Sequence, residues 1–220
     1  MSALQTLKNH LEPGHLYRRA DLEPHSNAVD RHLKQLQKSG VLKKLSGGLY
    51  HYPRKTKFGK APPTDYELVK SFLKDDRFLL FSQSAYNSLG LGTTQLHNET
   101  LVYNHKRHGT FKIGGRTFKF VRKTHFPDKV TKEFLLIDLI NNENSLKEGA
   151  DIINKAKELA GKMSSHTLRS LLNELDWKHA QLVLNNIVSR NDTHLHTNLK
   201  NAGYQFASAT PYCYKESTFA

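Results

Sequence analysis

The sequence predicts an α+β protein in three parts: an N-terminal unit of three short helices closed by a β-hairpin, a mixed α/β middle part with a second hairpin, and a helical remainder. Two observations predict this. Apolar residues recur at helical spacing up to residue 39, give way to β-like runs around Gly47-Gly48 and Gly114-Gly115, and return to helical spacing after residue 128. Pro62-Pro63 is a stiff break between the first two parts. The expected division is therefore 1–60 and 61–220, the latter split into an α+β part (61–127), a helical part (128–192) and an irregular tail (193–220).

In the first part, Leu4, Leu7 and Leu11 make an apolar stripe on a helix over residues 2–12, which Pro13-Gly14 ends. His15 to Leu22 reads as a short extended stretch entering a second helix, closed by Pro24. A third helix is expected over residues 26–39, with Ser26 as N-cap and Gly40 as its left-handed stop. Val29, Leu33 and Leu36 face the core of that unit. Asn27, Arg31, Lys34 and Lys38 then fall on the opposite side, within about 40° of its centre. Val41–Leu45 and Leu49–Tyr52 are two β-like runs joined by Ser46-Gly47-Gly48.

Charge says what such a surface would meet. The chain of 220 residues carries a net +13. Residues 1–60 hold eight lysines and four arginines against four acids, so most of the excess sits on about a quarter of the chain. An excess of this kind favours a polyanion, and charge alone does not separate DNA from RNA or an anionic membrane surface. The order of elements does more. Three helices followed at once by a basic hairpin is the order of a winged helix-turn-helix, whose third helix enters the major groove. Arg grips guanine and Asn grips adenine in bidentate fashion, while Lys suits phosphates. The expected DNA contacts are Ser26, Asn27, Arg31, Lys34 and Lys38, with Lys43 and Lys44 on the hairpin and Arg54, Lys55 and Lys57 beyond it. Winged helices also serve as protein-interaction modules.

In the middle part, Thr64 is expected to cap a helix to about Leu73, with Tyr66, Val69, Phe72 and Leu73 on one side. A short helix over residues 84–89 ends at Gly90. LVYNHK reads as a strand, and TFKIGGRTFKFV as a hairpin turning at Gly114-Gly115. A two-residue turn sets Phe111 opposite Phe118, on one face with Ile113 and Phe120. Residues 105–125 contain no acid. Lys106, Arg107, Lys112, Arg116, Lys119, Arg122 and Lys123 are thus either a second polyanion surface, for DNA or RNA, or the solvated face of a half-buried sheet. Gly114-Gly115 is no phosphate loop, because the Lys-Ser/Thr of a Walker motif is absent.

After residue 128, Phe134–Ile140 starts one helix, Ile152, Ile153, Ala156, Leu159 and Ala160 mark another, and Leu168, Leu171, Leu172 and Leu175 a third. Leu182, Val183, Ile187 and Val188 mark a fourth. These suggest a small bundle packed on the middle part or a dimer contact. No run approaches a membrane span, no secretory signal is visible, and the single cysteine, Cys213, fits a reducing compartment; a cytoplasmic location is expected. Neither His105 with His108 nor His194 with His196 has the partners of a metal site, so no metal and no cofactor are expected. No hydrolase or paired-carboxylate nuclease motif stands out, and catalysis is not expected.

The winged-helix start, GLYHYPRKTKFG, a helical pair ending in SAYNSLGL, then ETLVYNHKR and FKIGGRTFKF, together resemble the AbiEi-type antitoxins of type IV toxin–antitoxin, or abortive-infection (phage defence), systems. The similarity spans about residues 1–127. Its most specific parts are the Gly-Leu-Tyr-x-x-Pro exit from the hairpin and the Tyr-Asn-x-Lys-Arg strand. The resemblance implies a transcriptional repressor of its own operon, binding double-stranded operator DNA. It also implies a counterpart to a nucleotidyltransferase-like toxin, without need of a stable complex between the two. The alternatives are an RNA-binding regulator using residues 105–125 and a nucleic-acid-processing enzyme.

Overall fold

The computed structural model describes residues 2–91, 100–142, 149–175, 177–185 and 187–189. Helix α1 (Ala3–Asn9) starts where the Ser2 hydroxyl accepts from the Gln5 amide. Strand β1 (Leu16–Arg18) follows, then α2 (Arg19–Leu22), which tightens into a 3₁₀ turn at Glu23–His25 around Pro24. Helix α3 (Val29–Lys38) leads to β2 (Lys43–Ser46) and β3 (Leu49–His51), and the sheet order is β1-β3-β2. Leu7, Leu22, Val29, Leu33, Leu36, Leu42 and Tyr50 close the core between the helices and one sheet face. This is the winged-helix order that the sequence predicts. Gly40 at φ +69° turns the chain out of α3, as a residue without Cβ does at little cost. Two details differ. Helix α3 begins at Val29, with Ala28 rather than Ser26 at the N-cap position. The stretch after the wing, for which the sequence reading assigns no element, forms a second ribbon, β4 (Lys55–Thr56) with β5 (Gly59–Lys60).

The middle part opens with α4 (Asp65–Leu73), capped as expected. The Thr64 hydroxyl accepts from the Glu67 amide, and Glu67 accepts from the Thr64 amide at 2.7 Å. Leu68, not Tyr66, joins Val69 and Leu73 in the core, and Tyr66 stays exposed against Phe78. Then come β6 (Phe78–Ser82), a 3₁₀ turn at Gln83–Leu89 ended by Gly90, and β7 (Thr100–Asn104), β8 (Gly109–Ile113) and β9 (Arg116–Arg122). The sheet order is β6-β7-β9-β8, with β7 and β9 parallel and the other pairs antiparallel. The hairpin register is the expected one, with Phe111 opposite Phe118.

Each face of this sheet has its own cover. On one side Phe78, Val102, Ile113, Phe118 and Phe120 pack on α4. Leu16, Leu45 and Leu49 of the winged-helix sheet join the same cluster, and the Gly114 amide donates to the Leu45 carbonyl at 3.0 Å. On the other side Leu79, Phe81, Leu101 and Tyr103 pack on the helices α5 (Lys132–Asn141), α6 (Gly149–Lys162) and α7 (Ser165–Leu175). Residues 178–185 and 187–189 are also helical. The sheet is thus the middle layer between the winged-helix unit and the helical part. Helix α5 is buried all round from Phe134 to Ile140, as expected for a helix in the interior of its layer. In the last helical stretch Ala180, Leu184 and Val188 face inward, while Leu182, expected in the core, is exposed. The tail over 193–220, with Cys213, His194 and His196, lies outside the described residues. Among the described residues no helix is long and apolar enough to cross a membrane, and no group of three His, Cys, Asp or Glu could hold a metal ion.

Candidate nucleic-acid interface

Helix α3 buries Val29, His32, Leu33 and Leu36 and leaves Arg31, Lys34, Gln35 and Lys38 exposed on one stripe. Arg31 and Lys38 form no ion pair with the other described residues, so their charge stays available to a ligand. Asn27 is exposed in the turn that enters the helix, two residues before its first residue, rather than on the helix face as the sequence suggests. Ser26 corrects the sequence reading. It is buried, its hydroxyl lies 2.7 Å from His32 Nδ1 and accepts from the Ala28 amide at 3.2 Å. It shapes the helix entrance and is not presented to a ligand.

The one acid of the helix is taken up by α2. Arg19 holds Asp30 through two parallel hydrogen bonds of 2.8 and 2.9 Å and also reaches Glu23 at 3.2 Å. That fork geometry is the stronger kind of ion pair. The hydrogen bond from Arg19 holds the Asp30 carboxyl below the usual carboxylate range, and Asp30 in turn pushes the Arg19 guanidinium further up. The Arg19 amide donates to the Gly48 carbonyl at 2.8 Å, so one residue ties the wing turn to the helix. The result is an outward face on which the acid is neutralised and the cations are not.

The other expected contacts are also exposed. Lys43 and Lys44 are exposed on β2. Arg54, Lys55 and Lys57 are exposed along the β4–β5 ribbon, hereafter the arm. The Ala61 amide donates to the Arg54 carbonyl at 2.9 Å, and the Thr56 hydroxyl donates to the Gly59 carbonyl at 2.8 Å. Gly59, at φ +107°, closes the turn. Lys60 donates to the Gly40 carbonyl at 2.7 Å, which fixes the base of the arm to the C-terminal end of α3. Beside this contact lies a cleft of about 700 Å³, lined by Lys8, Ser39, Tyr52, Arg54, Lys55 and Lys60. At the tip stands Phe58, with 101% relative exposure. Sequence reasoning passed over it as one residue in a basic stretch, although a glycine after Lys-Phe between short β-like pairs was the signal for a turn.

Of the seven cations of residues 105–125, four have partners within the fold. Lys106 pairs with Asp75 at 3.0 Å, Arg116 pairs with Asp65, and Arg107 lies 4.7 Å from the Phe72 ring centroid. Lys123 sits 4.4 Å from the Trp177 ring centroid, where burial lowers its pKa. Lys112, Lys119 and Arg122 remain exposed. The Tyr-Asn-x-Lys-Arg strand is likewise built into the fold. Tyr86 and Tyr103 both donate to buried Asp138, Tyr103 at 2.6 Å, and Asn142 donates to it at 3.0 Å. Asn104 donates to the Arg107 carbonyl and accepts from the Lys106 and Arg107 amides, which knits the turn out of β7.

Residues 16–158, from β1 into α6, match the profile of DUF6088, a family of unknown function. The chain belongs to that family. The span that defines DUF6088 here holds α3, the arm and the four-stranded sheet together. Among solved structures, the RV2827C protein from Mycobacterium tuberculosis is similar at a TM-score of 0.50 and 17% identity, over 87% of this chain and 78% of that one. At that identity the likeness is one of fold alone. No curated protein gives a significant match.

Proposed function

We infer that this DUF6088 protein is a cytoplasmic DNA-binding regulator that represses its own operon and serves as the antitoxin of a type IV pair, countering a nucleotidyltransferase-like toxin. The observation that carries the DNA-binding half is the outward face of α3. Arg31, Lys34 and Lys38 stand free of the core there, Asn27 guards the entrance, and Asp30 is neutralised by Arg19. A helix of this kind in a winged-helix frame suits the major groove, with the arginine and the asparagine as base readers and the lysines on phosphates. The antitoxin half rests on the resemblance of residues 1–127 to AbiEi-type antitoxins, and the two halves are tested separately.

Gel-shift titration against the upstream DNA of the gene, with scrambled duplex and structured RNA as competitors, tests the first. Operator binding that survives both competitors is expected. Equal displacement by scrambled duplex would reduce the charge to a generic polyanion contact, and preferential displacement by RNA would favour the RNA-binding reading. Co-expression with a nucleotidyltransferase-like protein encoded alongside tests the second. Growth rescued by the full chain is expected, and no rescue would refute the antitoxin assignment while leaving the DNA binding intact.

A further inference from the structure

We propose that the arm is a second DNA-contacting element and that Phe58 at its tip enters the minor groove beside the α3 site, as an apolar wedge that bends the duplex. The proposal rests on the DNA-reading assignment of α3 and adds to it a deformation and the residue that makes it.

A fully exposed phenylalanine at the tip of a hydrogen-bonded ribbon is unusual, because burying that ring elsewhere would be favourable. Its surroundings define what would cover it. Arg54, Lys55, Lys57 and Lys60 flank it, and the sequence holds no acid between Asp30 and Asp65. The occupant must therefore be both polyanionic and able to accept a ring. Double-stranded DNA meets both conditions, since minor-groove proteins insert phenylalanine and other apolar side chains between base steps and flank them with basic residues. Continuity with α3 favours the same duplex. Lys60 fastens the arm to Gly40, just past the end of the helix, so the two elements share one edge of the molecule.

The tip is also preorganised. The Phe58 amide donates to the Thr56 hydroxyl, and that hydroxyl donates to Gly59, so little ordering remains to be done on binding.

The test uses the full chain on an operator duplex carrying end labels for energy transfer and 2-aminopurine at the steps flanking the α3 site. Wild type should shorten the end-to-end distance and brighten the flanking 2-aminopurine. Phe58→Ala should lose both signals with the salt dependence of binding unchanged, because no phosphate contact is removed. Phe58→Trp should keep both. Wild-type bending and unstacking by Phe58→Ala, or a straight duplex with wild type, would overturn the wedge while operator binding by α3 still stood. A wild type with no preference for the operator would defeat the reading of α3, and the wedge with it. Binding of wild type but not Phe58→Ala to phosphatidylglycerol vesicles, with no bend in DNA, would assign the arm to a membrane surface instead.

Discussion

If α3 reads bases and the arm grips phosphates, two substitutions should separate cleanly in one assay. Arg31→Ala removes the guanidinium best placed for a guanine edge. A good bidentate base contact is worth about 1–3 kcal/mol, which at 1.4 kcal/mol per decade is a loss of about 5- to 150-fold on the operator. A scrambled duplex offers Arg31 only phosphate, so its affinity should fall far less. Lys55→Ala combined with Lys57→Ala removes two exposed ammonium groups of the arm. Each lost phosphate contact lowers the slope of log K against log salt by about 0.9, so the pair should lower it by about 1.8. Between about 50 and about 200 mM salt that slope change amounts to roughly 12-fold, and it should be equal on operator and scrambled DNA. Fluorescence anisotropy on both duplexes across a salt series measures all of this. Equal weakening of both duplexes by Arg31→Ala would demote Arg31 to a phosphate contact. An unchanged operator affinity would mean that α3 is not the reading helix.

Three further outcomes are expected. Ser26→Ala should cost about 1–2 kcal/mol in urea unfolding, since it strips a buried histidine nitrogen of its 2.7 Å partner, while the folded protein keeps its operator affinity. Loss of affinity without loss of stability would contradict this. Leu49→Ala should cost about 2–5 kcal/mol, and wild type should unfold in a single transition, because Leu49 lies in the cluster that α4 and the sheet share; two separated transitions in wild type would show the units to be independent. Asp138 is fully buried, and desolvation raises its pKa above 3.8 despite its hydrogen bonds to Tyr103, Tyr86 and Asn142. The folded chain then binds this proton more tightly than the unfolded chain, so this group's share of stability falls as pH rises from 3.8 through the folded value and levels off above it. Tyr103→Phe should cost about 1.5–3 kcal/mol where Asp138 is ionised and about 0.5–1.5 kcal/mol where it is protonated, and a cost independent of pH would refute the assignment.

The first 60 residues were the most legible because their signals are local. Helix stripes, Pro13, Pro24, Gly40 and the wing glycines each act within a few residues of themselves, and so does the Thr64 cap. The β8–β9 hairpin was legible for the same reason, since a two-residue turn fixes its register. Strand β6 was not. Phe78 and Leu80 pack toward α4 while Leu79 and Phe81 pack toward the helices, so both faces are apolar and no alternation remains to be read. The parallel pairing of β7 with β9 was equally hidden, because β8 leaves the room of one strand that β9 then fills. At the candidate site, Arg31, Lys34 and Lys38 were readable from helical period alone. The Arg19–Asp30 clamp joins residues from two elements, and Ser26 is turned inward by a histidine six residues on. The counter-charges of the basic run of residues 105–125 were hidden for a related reason: Asp75 lies 31 positions from its partner Lys106, and Asp65 lies 51 positions from its partner Arg116.

The break at Pro62-Pro63 separates sequence patterns, but it does not separate the energetics. Leu16 and Leu49 belong to the winged-helix sheet by hydrogen bonding and to the middle core by packing, and Gly114 at the far hairpin tip donates to Leu45. A winged helix cut off after residue 60 would expose that apolar face, whereas in the full chain α3, the wing and the arm are carried as one body on the four-stranded sheet. The same sheet is gripped from its other side by α5 through Tyr103 and Asp138. Three packed clusters therefore lie between the helical part and α3: one on each face of the four-stranded sheet, and the core of the winged helix itself. If a partner engages the helices, the physical route to operator affinity runs through displacement of this sheet, and the clusters on its two faces set how much free energy such a displacement must overcome.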